Sequence, residues 1–391
     1  MNRVFIFSEG AFPRYGANSN YIQYLAYCIK EAGMQPYIIS QLNKEIISSE
    51  AAQLEYRGLK ILRTEFGNNR ITKFIQSRTG FLSERISILK KMKIDSKDYV
   101  LVFRSKHIFL KSLLKLRSRT GFKLIGAVLE LFGRKEFDVK HADREYRSYV
   151  KTFNEYFPQF DLILPISTFI EEYFKKRGCR TFLIPIMADC AEFTREDKEF
   201  SKYRIIIPAN GKMKDSLSLM LKSYCALEKS ELERSELHLC GIKKDKIYQA
   251  LSEKELKIFQ KYAIVHDWMK YDELVALYQK MHYLLLIREI CQMTQANFPS
   301  KVPETMNFGI VPLVSEVGDY TRYYLKDGVN SFFIKEHDIE SCKKSLSAAI
   351  NLSKEEYQSY SSNAIACVEQ RFDYHNWNKK LGKAFKELNL Q

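Results

Sequence analysis

The sequence has 391 residues, of which 46% are hydrophobic and 28% are charged. This balance is typical of globular proteins and excludes a disordered or fibrous chain. The length predicts roughly two to three domains, because single cores stop growing near about 250–300 residues. No apolar run approaches the about 20 residues of a membrane-spanning helix, so we expect no transmembrane segment. The eight cysteines form no C-x-x-C pair, which is typical of reduced core thiols and favours the cytoplasm.

Strand-like apolar runs alternate with helical periodicity in the first half of the chain. The strands are predicted at 3–8, 36–40, 99–103, 123–130, 161–167 and 181–186, with helices between them, for example at 139–156 and 168–177. The first run, 3–8, is too short for a secretory signal and is interpreted as a strand. Apolar strands separated by helices predict a parallel sheet that is covered on both faces.

Positive charge is concentrated in residues 51–150, which hold 23 Lys and Arg against 10 Asp and Glu, a net +13 of the total +15. Any anionic partner should meet the chain there. No nucleic-acid-binding module is recognisable, so we expect no nucleic-acid partner. Interleaved apolar and basic residues instead predict helices that lie on an anionic membrane surface. Alternatively, the apolar stripes pack against the first sheet and the basic side chains are merely solvated. The interleaved apolar and basic residues form three groups: Ile71, Lys73, Phe74, Ile75 and Arg78; Leu82, Arg85, Ile86, Leu89, Lys90 and Met92; and Phe109, Leu110, Lys111, Leu113, Leu114, Lys115 and Arg117.

The alternation stops at a charged, aperiodic stretch and then starts again. We predict an N-terminal domain over 1–187, a linker over 188–202, a second domain over 203–370, and a terminal helix over 371–391 that returns to the first domain. The second domain has predicted strands at 204–211, 236–241, 264–268, 283–289 and 310–315. The pattern predicts an α/β protein with two doubly wound Rossmann-like domains that face each other across a cleft. Such sheets bind ligands outside the carboxyl ends of their strands.

Two strand–helix junctions contain glycines that would allow a phosphate to approach the backbone. Gly16 lies between the first strand and the first helix, and Gly211 lies after the strand at 204–208, with Lys214 close behind. A diphosphate site is one interpretation of these residues. A plain turn at Gly16 and a solvated lysine at position 214 are the alternatives.

The segment after the strand at 283–289 is the most informative part of the sequence. Arg288 ends the strand, Lys301 precedes a short predicted helix, and Glu304 lies in its first turn. A carboxylate at this point can accept hydrogen bonds from two ribose hydroxyls, and the cations suit an anionic ligand. Alternatively, Glu304 only stabilises the helix N-terminus.

Residues 297–315 resemble the donor-site segment of retaining glycosyltransferases with the GT-B fold, especially glycosyltransferase family 4. A variant of that segment, typical of bacterial polysaccharide synthesis, has an arginine at the end of the preceding strand followed by G-F-P-x-K-x-x-E. The matching residues are Arg288, Phe298, Pro299, Lys301 and Glu304, together with Gly309 and Pro312.

The resemblance implies transfer of a sugar from a UDP- or GDP-linked donor with retention, without a cofactor or metal. Lys214, Arg288 and Lys301 would neutralise the leaving diphosphate, and Phe298, Glu304, Gly16 and Gly211 would complete the donor site. Glu130, at the end of the strand at 123–130, could position the acceptor hydroxyl or act as a weak base; an ordinary surface acid is equally open. The acceptor would be a lipid-linked or oligosaccharide glycan in capsule, O-antigen or exopolysaccharide synthesis, and the protein would be peripheral at the inner face of the membrane.

Three positions depart from the family pattern, one of them Glu130, which stands where the family often has a catalytic-cleft His or Arg. Ala296 replaces the first acid of the E-x7-E motif, and Asn210 replaces the arginine that usually accompanies the diphosphate lysine. The alternative hypothesis is therefore a catalytically inactive GT-B protein that acts as a binding or regulatory partner of an active glycosyltransferase.

Overall fold

A computed structural model describes residues 1–8, 12–13, 17–41, 55–64, 67–79, 81–103, 105–136, 142–208 and 214–389. The chain divides into two compact units. The first comprises Met1–Met187 and Tyr374–Gln391, and the second comprises Ala188–Asp373. In the part of the chain described, no helix has the length and apolar character needed to cross a bilayer.

The first unit is built on a seven-stranded sheet with the order β3-β4-β2-β1-β5-β6-β7. All neighbours are parallel except β3 and β4, which form an antiparallel pair. Residues 4–7 of the central strand β1 are all buried, because helices cover both faces of the sheet. The strands are β1 (Arg3–Phe7), β2 (Gln35–Gln41), β3 (Glu55–Tyr56), β4 (Leu59–Thr64), β5 (Tyr99–Val102), β6 (Lys123–Val128) and β7 (Leu162–Pro165). The helices are α1 (Ala17–Glu31), α2 (Arg70–Thr79), α3 (Leu82–Lys91), α4 (His107–Thr120), α5 (Ala142–Lys151) and α6 (Thr168–Lys175).

The second unit has a six-stranded sheet, parallel throughout, with the order β10-β9-β8-β11-β12-β13. Its strands are β8 (Tyr203–Pro208), β9 (Ser235–Cys240), β10 (Ala263–His266), β11 (Tyr283–Leu286), β12 (Val311–Ser315) and β13 (Phe332–Ile334). Its helices are α7 (Leu217–Cys225), α8 (Lys229–Glu233), α9 (Lys244–Ala250), α10 (Glu253–Tyr262), α11 (Tyr271–Tyr278), α12 (Gln292–Ala296), α13 (Lys301–Met306), α14 (Ile339–Ile350) and α15 (Lys354–Arg371).

The final helix, α16 (Asn378–Lys386), belongs to the first unit. It buries Leu381 and Phe385, and the Tyr99 hydroxyl on β5 donates a 3.0 Å hydrogen bond to the Phe385 carbonyl. Gly382 faces α1 so closely that a Cβ there would lie 2.7 Å from the Cβ of Ala32. A glycine is therefore required where the two helix backbones approach each other.

The predicted strand at 181–186 is wrong, since the structure shows only an isolated bridge between Thr181 and Ile163. The segment does run beside β7: the amides of Phe182 and Ile184 donate to the carbonyls of Ile163 and Pro165. Pro165 has no N–H to donate to the Phe182 carbonyl, so the ladder is interrupted at this point and no strand forms. The strands β3, β4 and β13 are short or mixed in polarity and were not predicted.

Candidate functional site

The order of strands in the second sheet creates a crevice between β8 and β11. Chain connections leave these two neighbouring strands toward opposite edges of the sheet, since β9 follows β8 and β12 follows β11. Parallel α/β sheets bind ligands at the carboxyl ends of strands at such a switch point. Among the described residues, 214–216 follow β8 and 287–291 follow β11 at this edge. The Ser216 amide donates a 2.8 Å hydrogen bond to the Ile287 carbonyl and joins the two segments.

Three charged side chains meet at this edge. One carboxylate oxygen of Asp215 accepts a 2.8 Å hydrogen bond from Nε of Arg288, and the other accepts a 2.8 Å bond from Nζ of Lys301. The side chains of Arg288, Asp215 and Lys301 are 5%, 10% and 19% exposed. The structure thus brings together Arg288 and Lys301, two of the three predicted diphosphate cations, and it places between them a carboxylate that the sequence analysis did not single out.

The ionisation of this cluster reflects both burial and charge. Burial opposes the charged form of Asp215, but the attraction of Lys301 and Arg288 outweighs it and lowers the pKa of the carboxyl. Burial also lowers the pKa of Lys301; Asp215 counteracts this shift, while the nearby Arg288 adds to it. Asp215 is therefore the main group that supports the charged form of Lys301, and Glu304 adds to its effect.

The guanidinium of Arg288 is also held from other directions. Its Nη1 donates a 3.0 Å hydrogen bond to Oδ1 of Asn297, and its backbone amide donates a 2.8 Å bond to the Ser315 hydroxyl at the end of β12. The same hydroxyl donates a 3.0 Å bond to the Arg288 carbonyl. Nη2 makes no hydrogen bond to any residue of the described ranges. Because three of its neighbours fix the arginine, its remaining donor can serve a ligand with little loss of rotamer freedom.

Glu304 lies in the first turn of α13, close to Lys301 on the same helix. Its carboxylate is half-buried and has no hydrogen-bond or ion-pair partner among the residues described. Burial raises the pKa of Glu304 to about 7, Lys301 opposes this shift, and Glu192 adds to it. A partly sheltered acceptor that lacks a protein partner is suited to neutral hydroxyl donors, such as those of a ribose.

The short helix that carries Lys301 and Glu304 is firmly held at its C-terminal end. Gly309 has φ +67°, and its carbonyl accepts hydrogen bonds from the hydroxyls of Tyr357, at 2.8 Å, and Ser361, at 2.7 Å. On the other side, Nε of Arg195 donates a 2.7 Å bond to the Asn307 carbonyl. These anchors fix the direction of α13 and hence the positions of its charged side chains.

The ring of Phe298 is buried, and the donor contact predicted for this residue stays a prediction. The side chain is 3% exposed and packs against the rings of Tyr320, Tyr324 and Phe372, with centroids 5.5–6.1 Å apart. The physical reason is the hydrophobic effect, because an aromatic ring beside a switch point is more stable in the core than in water. Phe298 therefore anchors the turn at 297–300 to the core.

The remaining predicted site residues are dispersed. Gly16, Gly211 and Asn210 lie outside the described residues. Lys214 is half-buried and directly precedes Asp215. Glu130 is half-buried in the first unit, two residues beyond β6, and its carbonyl accepts a 3.3 Å hydrogen bond from the Tyr149 hydroxyl. The role predicted for Glu130 stays a prediction.

Sequence reasoning missed Asp215, Asn297, Ser315 and Glu192. Asp215 directly precedes a helix and lies close to a lysine, so it resembles an ordinary helix-terminal acid. Its partners are 73 and 86 positions away along the chain. The signal that could have identified Asp215 was the presence of an acidic residue in the predicted diphosphate loop, where an anionic ligand gives it no evident role. Ala296, which stands in place of the first acid of the E-x7-E motif, is fully buried.

Comparisons with known proteins give a consistent result. Residues 192–366 match the family model described as glycosyl transferases group 1. Sucrose-phosphate synthase from Thermosynechococcus elongatus is similar in structure, with a TM-score of 0.75, 11% identity and 99% of each chain covered. HepE from Anabaena, solved in complex with UDP and glucose, has a TM-score of 0.70 and 11% identity, covering 99% of this chain and 100% of HepE.

A glycosyltransferase from Rickettsia africae has a TM-score of 0.70 and 12% identity, with 99% of this chain and 98% of that chain covered. No curated protein sequence matches the chain. At such low identities the structural likeness shows the fold alone, and it confirms the predicted GT-B architecture of two doubly wound domains.

Proposed function

We propose that this chain moves a hexosyl group from a UDP- or GDP-linked donor to a lipid-linked or oligosaccharide acceptor with retention. The starting point is the match of residues 192–366 to the glycosyl transferases group 1 model, which indicates a nucleotide-sugar glycosyltransferase. The observation that carries the proposal is the meeting of Arg288 and Lys301 at the β8–β11 switch point, with the half-buried carboxylate of Glu304 close to Lys301. Cations for a diphosphate and an acceptor for ribose hydroxyls are the groups that such a donor requires.

The chemistry follows from where charge develops. When the bond between the sugar and the diphosphate breaks, negative charge builds on the leaving oxygen. Arg288 and Lys301, fixed in a largely buried site, stabilise that charge more strongly than solvated cations would. We assign them this role together with Lys214, and we assign Gly16 and Gly211 to close approach of the donor to the backbone. Glu130 is proposed to position the acceptor hydroxyl.

No metal or cofactor is part of the proposal. Within the described ranges, no group of three or more His, Cys, Asp or Glu side chains could hold a metal ion. The fixed cations are proposed to carry the charge stabilisation.

Calorimetry with UDP and GDP, followed by a transfer assay with UDP-glucose, tests the donor proposal. UDP-glucose is the first choice because HepE was solved with UDP and glucose. Binding that Glu304→Gln weakens and Glu273→Gln leaves unchanged would support the donor site, since Glu273 lies on α11 of the same unit. Binding without hydrolysis or transfer would instead favour the alternative hypothesis of an inactive binding partner, for which Ala296 is the observation.

The acceptor is proposed to be lipid-linked because of an unusual helix in the first unit. On α2, Ile71, Phe74 and Ile75 are 73%, 58% and 53% exposed, at positions i, i+3 and i+4 of one face. The inward side chain is polar: Gln76 is 4% exposed and donates a 2.7 Å hydrogen bond to Glu84. This reverses the usual amphipathic arrangement, in which the apolar stripe faces the core.

The charged residues around this apolar face favour an anionic lipid surface as its binding partner. Arg70, Lys73 and Arg78 are exposed on α2, and the Arg78 guanidinium lies 4.8 Å from the Phe74 ring centroid. Apolar side chains surrounded by basic ones fit an anionic lipid surface. Each inserted side chain contributes about 1.5–3 kcal/mol and each basic residue about 1 kcal/mol. We propose the membrane contact for α2 alone, because the apolar stripes on α3 and α4 bury Leu89, Phe109, Leu110 and Leu113.

Sedimentation with vesicles tests the membrane proposal. We expect pelleting with phosphatidylglycerol vesicles that weakens with salt, and little with phosphatidylcholine. Phe74→Ser should reduce pelleting strongly, whereas the matched change Trp268→Ser, at a side chain 73% exposed in the second unit, should not. Equal pelleting with neutral vesicles would contradict the proposal. A concentration-dependent dimer lost in Phe74→Ser would assign the surface to a second copy instead. Location at the inner face of the membrane and a role in capsule, O-antigen or exopolysaccharide synthesis complete the proposal.

A further inference from the structure

Asp215 links the two cations of the candidate donor site. Each of its oxygens accepts one hydrogen bond of 2.8 Å, one from Arg288 and one from Lys301, and its side chain is only 10% exposed. A buried carboxylate with both oxygens engaged is fixed in position. The same residue begins the segment that leads into α7, so the cluster is tied to the backbone of the β8 connection.

The two cations depend on Asp215 to different degrees. Arg288 is also held by Asn297 and by Ser315. For Lys301, Asp215 is the single side-chain partner of Nζ in the described part of the chain. A lysine has a flexible four-carbon stem, and without a partner it samples many rotamers. Lys301 should therefore respond most strongly to the loss of Asp215.

We propose that Asp215 is a positioning residue that holds the ammonium of Lys301 and the guanidinium of Arg288 in the arrangement that receives the donor diphosphate. The inference rests on the proposed donor site. An acidic residue next to a diphosphate site would ordinarily be expected to repel the anionic substrate. In this proposal, Asp215 instead holds the two cations in place. The carboxylate neutralises one of the two cations, so the trio keeps a net charge of +1 for the ligand.

The opposite role, competition with the diphosphate, predicts the opposite outcome. If Asp215 blocked the cations, its neutralisation would strengthen nucleotide binding. If it positions them, Asp215→Asn leaves two like charges close together in a buried site, and Lys301 then turns away or loses its proton. We expect UDP affinity, measured by calorimetry at about pH 7.5, to fall on the order of tenfold.

The pH dependence of UDP binding separates positioning from a purely structural role. The charged groups that face Lys301 are Asp215, Arg288 and Glu304, and Tyr320 lies near Arg288 and Asp215. Without Asp215, the proton on Lys301 is lost at lower pH. UDP affinity of Asp215→Asn should therefore decrease with rising pH more steeply than wild-type affinity. The terminal phosphate of UDP titrates in both proteins, and repeating the comparison in a Glu304→Gln background removes the carboxyl whose titration Lys301 influences.

The matched control is Asp98→Asn in the first unit. Asp98 is a buried acid that accepts a 2.8 Å hydrogen bond from Nε of Arg3, so its loss also breaks a buried ion pair. We expect it to lower stability and leave UDP affinity per folded molecule unchanged. In a Lys301→Met background, Asp215→Asn should weaken UDP binding far less than in the wild type, because its main target is gone.

Each result has a defined meaning. If wild-type protein binds neither UDP nor GDP, the proposed donor site fails and this inference fails with it. If wild-type protein binds UDP and Asp215→Asn binds equally or more tightly, with the same pH dependence, only the role of Asp215 is overturned. If Asp215→Asn does not fold, Asp215→Glu keeps the charge and displaces it by one methylene. We then expect a several-fold loss of UDP affinity with the wild-type pH dependence, and unchanged affinity would overturn the inference.

Discussion

Replacing Glu304 with glutamine should stabilise the protein above neutral pH while it weakens donor binding. The substitution removes the charge and keeps the size and shape of the side chain. In the folded chain, burial raises the pKa of Glu304 to about 7 from an ordinary value of 4.5. The folded state therefore holds a proton that the unfolded state has already released at intermediate pH.

The sign and size of the effect follow from this difference. The carboxyl destabilises the fold progressively as pH rises from about 4.5 to about 7, and the full cost remains above pH 7. At about 1.4 kcal/mol for each pH unit, the cost reaches about 3 kcal/mol. The side chain keeps some access to solvent, which screens part of it, so we expect Glu304→Gln to gain about 1–3 kcal/mol at about pH 8. At about pH 4 both side chains are neutral and the gain should vanish.

Urea denaturation followed by circular dichroism measures the change, and calorimetry with UDP measures the cost to binding. A charge-assisted hydrogen bond to ribose is worth about 1.5–3 kcal/mol, so affinity should fall at least several-fold. The matched control is Glu255→Gln. Glu255 accepts two 2.7 Å hydrogen bonds from Ser252 in the capping box of α10, so its substitution should lower stability at about pH 8. Destabilisation by Glu304→Gln at about pH 8, with unchanged UDP affinity, would show that Glu304 only supports its helix.

Three further outcomes follow from the structure. Lys301→Met should reduce turnover per folded molecule by about 10–100-fold in the transfer assay, since charge on the leaving diphosphate is greatest in the transition state; an unchanged rate would remove Lys301 from the site. Phe298→Ala should lower the free energy of unfolding by about 3–5 kcal/mol, because it leaves a cavity in a buried aromatic cluster. Phe298→Leu should retain UDP affinity, and a loss of UDP affinity in this variant would indicate that the Phe298 ring contacts the donor. Gly309→Ala should cost about 1–3 kcal/mol in urea denaturation because its φ of +67° is strained for residues with a Cβ; a neutral effect would show that the turn can relax.

Much of the architecture could be predicted from local pattern. The alternation of apolar strands and helices determines a doubly wound sheet, because a strand that is apolar on both sides needs helices on both faces. The run from Arg288 to Glu304 could be recognised as a candidate donor site because its residue types lie close together in sequence. The exposed face of α2 could not be distinguished from the buried faces of α3 and α4, since all three alternate apolar and basic residues. Only packing decides which stripe has a covering partner.

The sequence by itself determined the fold class, the position of the basic region and the nature of the charged residues near the carboxyl end of β11. Tertiary structure alone decided that Asp215 lies between Arg288 and Lys301, that the Glu304 carboxylate has no hydrogen-bond partner among the described residues, and that the ring of Phe298 lies in the core. The physical reason is that periodicity reports the environment of a residue relative to its own helix or strand. Contacts at the edge of a parallel sheet join segments that are far apart in the chain, and burial there sets the charge each group carries.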